Sequence, residues 1–319
     1  MAEATILRER HDMRLTAAAA IASGEVYQLP DGRAGVYCGL NAASSGDRVK
    51  FATSGQFTVA KASNVEVIDG APLWWDHSAN AATPVPQFGS RDFFIGSAVG
   101  DAAASASTCV VNLNVKPEYI VDINGVIGGG GGDTVTVQTT GSPSVVSRGG
   151  MTIFAFDTTA EAQKVDWLSR RSFDVASNWI LEAMVEVATA PNNVAADVDI
   201  GVASGTHASD FESIAEFAAI HLDGGDTNID AHSDDGTTDV APVDTTIDWT
   251  AGTPFHIAID GRDHTNVKFY VNGVRVASGT TFKLTAASGP LKAIFHAEKG
   301  ANSTPGVFEV DMLRVRIQE

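Results

Sequence analysis

The chain has little cysteine, little basic charge and no long apolar run. It contains two cysteines among 319 residues, Cys38 and Cys109, which are too few for a disulfide scaffold. We expect both to be reduced, buried thiols, because free cysteine behaves as a small apolar residue. No stretch approaches the roughly 18 apolar residues that a membrane span needs, and the run from Ala17 to Ala22 is too short for a signal sequence. These absences predict a soluble protein that is made in the cytosol and has no membrane partner.

The charge balance is strongly acidic. Lys and Arg number 21 against 39 Asp and Glu, a formal net charge of −18, and such a field repels phosphate backbones. We therefore expect no nucleic-acid partner. Hydrophobic residues make up 44% and charged residues 19%, which excludes wholesale disorder.

The length and an internal change of composition predict two domains. The net charge is −3 up to residue 120 and −15 after it. Between the halves, Gly128 to Gly132 form five consecutive glycines, which the interior of a strand or helix does not tolerate. We predict one domain over residues 1–115, a Gly-rich linker over 116–150 that holds at most a short hairpin, and a second domain over 151–319.

Hydrophobic residues recur with a period of two, which is typical of β-strands. Ile180 to Ala188 alternates so that Glu182 and Glu186 share the face opposite the apolar residues, and we expect both to face solvent. Asn272-Gly273 between alternating flanks predicts a β-hairpin. Further strand-like runs cover residues 197–202, 217–222, 255–260, 291–297 and 308–317. We predict an antiparallel jelly-roll sandwich, with helices only at Thr159 to Leu168 and shortly after Ser209.

The first domain has shorter strand candidates with closer turns. They cover residues 24–29, 33–38, 47–51, 55–59, 73–76, 93–99 and 108–113. A sheet this small is expected to curl on itself to hide its edges, which predicts a compact β-barrel.

The order of several segments in this domain resembles the phage capsid decoration, or cement, proteins. The segments are Met1-Ala-Glu-Ala-Thr, the Gly24-Glu-Val strand, the Gly46-Asp47 turn, Gly-Ala-Pro-Leu-Trp-Trp-Asp at 70–76, Phe-Ile-Gly-Ser-Ala-Val at 94–99 and Val-Val-Asn-Leu-Asn at 110–114. The resemblance covers about a third of the chain. It implies a β-barrel, often trimeric, that binds the major capsid protein on the outside of an expanded phage head.

Members of this family are often labelled RecA- or RadA-like recombinases, a label that the sequence contradicts. A nucleotide-binding loop ends in Gly-Lys-Ser/Thr, whose lysine meets the outer phosphates. Here Gly128 to Gly132 run into Asp133 and Thr134 without a lysine. We interpret the glycines as a linker.

The second domain resembles concanavalin-like or laminin-G-like jelly rolls. The matching segments are Phe-His-Ile-Ala-Ile-Asp at 255–260, Phe-Tyr-Val-Asn-Gly-Val-Arg-Val at 269–276 and Phe-Glu-Val-Asp-Met-Leu-Arg-Val-Arg at 308–316. Such folds include lectins, glycosidases and adhesion modules, so the fold does not settle the function.

The carboxylates do not form a glycosidase pattern, and we predict that the protein is not an enzyme. Glycosidases of this fold class commonly carry Glu-x-Asp-x-Glu on one strand, which is absent here. Glu182 and Glu186 lie roughly 13 Å apart along a strand, too far for either stereochemical outcome. Asp197 and Asp199 are better spaced, but nothing in the sequence raises the pKa of either.

The densest acidic stretch leaves a calcium site open as an alternative. Residues 197–263 hold fifteen acidic residues and one basic residue, Arg262. Hard cations prefer an oxygen-rich loop such as the one formed by Asp223, Asp226, Asn228, Asp230, Asp234 and Asp235. The spacing does not match an EF-hand, and we favour a solvated acidic rim with no cofactor.

Aromatic side chains could form a platform for a sugar. Trp74 and Trp75 point to opposite faces of a strand, so at most one is exposed, and Trp167, Trp179 and Trp249 fall near strand ends. Core or rim positions are the commoner fate of such residues. Host-surface glycans remain an alternative partner.

Taken with the resemblance, these patterns predict a phage head decoration protein on the outer capsid surface of the virion. We expect an extended N-terminal arm, formed by Ala2, Glu3, Ala4, Thr5, Ile6 and Leu7, to add to a strand edge of the shell. Barrel contacts in a homotrimer would clamp neighbouring capsomers, and the sandwich would stand outward. The competing functions are a virion-anchored carbohydrate-binding adhesin and a glycan-degrading enzyme.

Overall fold

The structure is a computed structural model, and residues 12–86, 89, 91–123, 136–191 and 196–318 are described. The chain forms two compact units, Met1–Pro117 and Glu118–Glu319. The described residues form no helix, and all strand ladders between them are antiparallel. The predicted all-β class is therefore confirmed. No helix among the described residues is long and apolar enough to cross a membrane.

The first unit contains two sheets. Its strands are β1 (Asp12–Thr16), β2 (Val26–Gln28), β3 (Ala34–Tyr37), β4 (Arg48–Ala52), β5 (Gln56–Ala60), β6 (Pro72–Asp76), β7 (Ala81–Thr83), β8 (Phe93–Ala98) and β9 (Thr108–Leu113). Sheet A has the order β1-β4-β3-β2, and sheet B has the order β5-β9-β8-β6-β7. Each strand candidate of this region is confirmed.

The predicted closed barrel is not confirmed. Among the described residues, a single isolated parallel bridge, between Lys61 just after β5 and Ala82 of β7, connects the two ends of sheet B. Sheet B has five strands with antiparallel neighbours, so its two edge strands run parallel, and a single bridge does not make a ladder.

Gly96 bends β8 beside a register shift against β6. Its φ is 148°, and a Cβ there would lie 2.2 Å from the Asn112 carbonyl oxygen.

One asparagine links the two sheets of the first unit. Asn114 follows β9 and has a φ of 61°, a left-handed conformation that asparagine tolerates better than most residues. Its Oδ1 accepts a hydrogen bond from the Ala34 amide at 2.8 Å, and its Nδ2 donates to the carbonyls of Ala34 and Thr53, both at 2.9 Å. The side chain thus satisfies backbone groups at the start of β3 and after β4.

The second unit is an antiparallel sandwich. Its strands are β10 (Val121–Ile123), β11 (Thr136–Thr140), β12 (Ser144–Arg148), β13 (Met151–Phe156), β14 (Glu161–Leu168), β15 (Phe173–Asp174), β16 (Asn178–Thr189), β17 (Ala196–Ala203), β18 (Glu216–Asp223), β19 (Asn228–Asp235), β20 (Asp239–Asp248), β21 (Phe255–Gly261), β22 (Lys268–Val271), β23 (Val274–Val276), β24 (Pro290–Asn302) and β25 (Gly306–Gln318). Sheet C has the order β12-β13-β25-β16-β21-β22-β23, with β10 beside β25. Sheet D has the order β11-β14-β24-β17-β18-β19-β20, with β15 beside β24.

The core of the second unit lies between sheets C and D. Phe154 of sheet C stacks on Phe295 of sheet D, with ring centroids 4.3 Å apart, and Trp167 packs against Phe154 at 5.5 Å. Such aromatic pairs add stability beyond the area that they bury. The predicted hairpin is confirmed, because Asn272 and Gly273 take φ values of 50° and 76° between β22 and β23.

Three expectations differ from the structure. Thr159 to Leu168, predicted as a helix, contains strand β14, because both its neighbours in sheet D supply hydrogen-bonding edges. The stretch after Ser209 is also not helical. Residues 116–150, predicted as a linker, contribute β10, β11 and β12 to the second unit, whereas the glycines at 128–132 lie outside the described residues.

The cysteines are free, as expected, but only one of them is buried. Cys109 lies on β9 of sheet B with its side chain in the core, and burial raises its pKa to about 11. Cys38 is exposed at the end of β3. The prediction that both thiols are buried is therefore wrong for Cys38, since it follows the last core position of its strand.

Candidate functional site

A row of acidic and histidine side chains crosses five neighbouring strands of sheet D. The strand registers place Asp166 opposite His296, His296 opposite Asp199, Asp199 opposite His221, and His221 opposite Asp230. The residues before and after each of them point into the core, so the row lies on the outer face of the sheet. We name these five residues the Asp–His row.

Hydrogen bonds join the row in pairs. His296 Nδ1 lies 2.7 Å from Asp166 Oδ1, and His221 Nδ1 lies 2.9 Å from Asp199 Oδ1. Asp166, Asp199 and His296 are fully buried, and His221 is 7% exposed. Charged groups at such depth are stable only when they are paired, because desolvation penalises an isolated charge.

The pairing determines the protonation of both histidines. Burial opposes the charge of His221, but the charge of Asp199 and its hydrogen bond outweigh that effect and raise the pKa of His221 to about 9. Burial likewise opposes the charge of His296, whereas the hydrogen bond to Asp166 and the Glu298 carboxylate, 3.5 Å from its Nε2, raise its pKa to about 9. At neutral pH both rings are therefore imidazolium cations between carboxylates.

Asp197 shares this face but behaves differently. It stands between Glu298 and Asp223 in the strand registers, so three carboxylates are direct cross-strand neighbours. Burial, with the charges of Asp199 and other nearby carboxylates, raises the pKa of Asp197 to about 7. The sequence alone gave no reason to expect a raised pKa for Asp197, whereas its surroundings in the sheet supply one.

A loop over residues 204–215 covers part of the same face. Phe211 and Ile214 of the loop pack with Ile294 and Phe217 in a small apolar cluster beside the row. Glu212 Oε1 lies 3.7 Å from His221 Nδ1, and Lys164 donates a hydrogen bond to the carbonyl of His207. The loop helps to shield the buried carboxylates from solvent.

The Asp–His row contains charged and protonated side chains, but it does not present two carboxyl groups that a substrate could reach. Asp199 Oδ2 and Asp166 Oδ2 are buried and accept no hydrogen bond from any described residue. A substrate would have to displace the covering side chains to reach either atom, and glycoside hydrolysis requires two carboxyl groups on opposite sides of a bound sugar. The geometry therefore favours a structural role for the row.

The sequence missed this row because its members are far apart in the chain. Asp166 and His296 are 130 residues apart, and Asp199 and His221 are 22 residues apart. The available signal was a polar residue in the middle of an apolar strand, as in Ile-Phe-His-Ala at 294–297. That signal marks a position but does not identify its partner.

Glu182 contradicts the expectation of a solvent-facing charge. It is 2% exposed, and Arg316 Nη1 donates a hydrogen bond to Glu182 Oε1 at 2.8 Å. Tyr119 adds a hydroxyl 3.5 Å from Glu182 Oε2. The outer face of β16 is therefore covered, so the alternation of the strand does not separate buried from exposed residues. Glu186, four residues further along, is half-buried.

The predicted calcium loop divides between a turn and two strands. Asp223 Oδ1 and Asp226 Oδ1 accept hydrogen bonds from the amides of Gly225 and Asn228, at 2.7 and 2.8 Å. The carboxylates of Asp234 and Asp235 likewise accept hydrogen bonds from backbone amides of the next turn. In the part of the chain that the structure describes, no group of three or more His, Cys, Asp or Glu side chains is arranged to hold a metal ion.

The tryptophans do not form an exposed platform. Trp167 and Trp179 are fully buried, Trp75 and Trp249 are 6% and 7% exposed, and Trp74 is half-buried against Phe94. Stacking of a sugar requires an open ring face, which these positions do not provide. The predicted arm of residues 2–7 lies outside the described residues, so its capsid contacts stay a prediction.

Comparison with known proteins gives one family match, which lies in the first unit. Residues 8–113 match the family model of the phage cement proteins, which confirms the resemblance found in the sequence. The match covers most of the first unit and none of the sandwich. No curated protein matches the chain.

Solved structures similar to the chain share little sequence with it. A protein of unknown function from Shewanella oneidensis MR-1 has 14% identity and a TM-score of 0.44, over 62% of this chain and 85% of that one. The carbohydrate recognition domain of Emp47p has 13% identity and a TM-score of 0.42, over 62% and 95%. A GH16 protein of Bacteroides ovatus, in complex with a glucan product, has 10% identity and a TM-score of 0.41, over 58% and 94%. We draw no function from similarities at this level.

Proposed function

We propose that this protein is a decoration protein of phage heads, whose first unit binds the major capsid protein on the outside of the shell and whose second unit is displayed outward. The observation that carries the proposal is the match of residues 8–113 to the phage cement proteins. The net charge of −18 supports it, since an acidic surface disfavours binding to packaged nucleic acid.

The proposed mechanism is mechanical. The arm of residues 2–7 adds backbone hydrogen bonds to an exposed strand edge of the shell, as extended peptides do when they join a sheet. Self-association as a homotrimer places several arms on neighbouring capsomers, so that modest individual affinities sum to stable attachment.

The second unit is proposed to act as a displayed, non-catalytic module. Asp166 and Asp199, the buried carboxylates on sheet D, are each paired with a histidine, which supports a structural role over a glycan-degrading one. Release of reducing sugars from bacterial polysaccharides by the purified chain would contradict this part of the proposal.

The test of attachment uses the full chain and phage heads purified without it. We expect saturable co-sedimentation with expanded heads and a higher melting temperature of the decorated shell. A chain in which residues 2–7 are deleted should lose occupancy, as should one in which they are replaced by Gly and Ser. Failure of the unaltered chain to bind heads would refute the proposed function, whereas full occupancy after the deletion would refute only the role of the arm.

A further inference from the structure

A cleft in the first unit runs along an open strand edge. β2 is the last strand of sheet A and pairs only with β3. Hydrogen bonds to β3 come from odd-numbered residues, as when the Leu29 amide donates to the Arg33 carbonyl at 2.8 Å. In antiparallel ladders the alternate residues, here Val26 and Gln28, direct their peptide groups away from that neighbour. Within the described residues, no strand covers this edge of β2.

The opposite side of the cleft carries a guanidinium without a carboxylate. Arg91 and His77 line the cleft together with β2, and Arg91 Nη1 lies 3.1 Å from His77 Nε2. Among the described residues, this is the only partner of the Arg91 side chain. Glu25 is the one acidic residue that lines the cleft. Its carboxylate accepts a hydrogen bond from the Ala22 amide at 2.8 Å, so it stabilises the turn before β2.

Aromatic and amide groups complete the lining. Tyr27 is 37% exposed and stands on Phe51, with ring centroids 5.5 Å apart, and Phe93 is buried beside the cleft. Asn80, in the turn between β6 and β7, adds a side-chain amide. The cleft thus combines an open backbone edge, an aromatic surface and an uncommitted positive charge in a chain whose net charge is −18.

We propose that this cleft receives an extended, acidic segment of the major capsid protein, which pairs with β2 as an added strand and places an Asp or Glu carboxylate on Arg91. Main-chain hydrogen bonds to a sheet edge supply affinity, and side-chain contacts supply specificity. A guanidinium binds a carboxylate through two parallel hydrogen bonds, which a lysine cannot reproduce. The proposal rests on the proposed function and adds a second contact to the arm, one in which the shell supplies the strand.

Two variants of the full chain test the two halves of the cleft. Arg91→Glu reverses the charge, and Gln28→Pro removes an outward amide from β2 while leaving its bonds to β3. Each should bind purified heads about tenfold more weakly, equivalent to about 1.4 kcal/mol. Arg48→Glu is the matched control, since Arg48 is an exposed arginine on β4 that has no ion pair among the described residues. Its affinity for heads should stay within about twofold of that of the unaltered chain, because an exposed charge outside the cleft contributes little to affinity. Melting curves of each variant establish that the first unit remains folded.

The outcomes separate the cleft from the proposed function. If the unaltered chain binds heads and both cleft variants bind equally well, the cleft proposal is wrong and the decoration function stands. Equal weakening by Arg91→Glu and Arg48→Glu would assign the effect to overall charge and also overturn the proposal. Loss of self-association in the cleft variants, with head binding retained, would identify a second copy of this chain as the occupant instead.

Discussion

The two units stabilise buried polar groups in different ways. In the first unit, Asn114 and the buried Lys61 are satisfied by backbone groups; Lys61 Nζ donates to the carbonyls of Ala62 and Val65 at 2.9 and 2.7 Å. In the second unit, charged side chains are buried against one another, as in the pairs of the Asp–His row and in Glu182 with Arg316. The second unit also satisfies the buried Lys299 with backbone carbonyls. Among the described residues, however, only the second unit buries acids against bases, so its stability should depend more strongly on charge and therefore on pH.

The largest expected effect concerns the buried ion pair of the second unit. Arg316→Met leaves Glu182 buried without its cation and should lower the free energy of unfolding by about 3–5 kcal/mol. The double variant Glu182→Leu/Arg316→Met should recover most of that loss, because apolar replacement removes both desolvation penalties. Denaturant titration of the full chain measures both values.

The matched control is the exposed pair Arg33–Asp31 of the first unit, which has a similar N–O distance of 2.8 Å. Arg33→Met should leave the free energy of unfolding unchanged within error, since solvent screens an exposed pair. Equal losses from Arg33→Met and Arg316→Met would contradict the contrast between the units.

The next effect tests the backbone clamp of the first unit. Asn114→Ala removes three hydrogen bonds and forces alanine into a left-handed conformation, which should cost about 2–3 kcal/mol. Asn114→Gly removes the same hydrogen bonds without the conformational strain and should be more stable than the alanine variant by about 1 kcal/mol. Thermal unfolding of the full chain compares them, and identical stabilities would show that the conformation contributes nothing.

Asn112→Ala is a suitable control for this position. Asn112 lies in β9, two residues before Asn114, and its side chain makes no hydrogen bond to other described residues. Its replacement should change the melting temperature far less than replacement of Asn114.

The smallest effect, counted per histidine and per pH unit, is a pH dependence of the stability of the second unit. The pKa of His221 and of His296 is raised from 6.5 to about 9, so the folded state binds more protons than the unfolded chain between these values. The stabilisation is fully present below pH 6.5 and is lost as the pH rises through 9. Stability should therefore fall between pH 7 and 9, by at most about 1.4 kcal/mol per pH unit for each histidine.

Two other titratable groups of the second unit affect its stability below pH 7. Asp197, with its pKa raised to about 7, also makes stability fall as the pH rises, but between about 4 and 7. His256 is buried and its pKa is lowered, so it opposes that trend below pH 6.5. Melting temperatures of the full chain at pH 7–9 should show a smaller slope for His221→Gln than for the unaltered chain. A transition of the second unit that is independent of pH over this range would contradict the assignment.

Local patterns in the sequence located all the strands that were predicted and one turn, but they missed others, such as β1, β7, β19 and β20. Asn272-Gly273 lies in a hairpin because few other residue pairs tolerate two positive φ values. Period-two alternation located β16 and its neighbours, since successive side chains of a strand point to opposite faces. The same rule failed for Glu182, because it specifies a face but not whether that face is covered. The helix predicted at Thr159 to Leu168 is wrong, because the ladder with β24 outweighs a local preference for helix.

The sequence by itself determined the all-β class, the acidic charge and the resemblance of the first unit to cement proteins, because composition, alternation and short motifs are properties of neighbouring residues. Only the tertiary structure decided that Asp166, His296, Asp199 and His221 stand in one row and that an open edge of β2 faces Arg91. Such sites form when residues distant in the chain meet across strand registers, and register depends on how the whole sheet buries its apolar side.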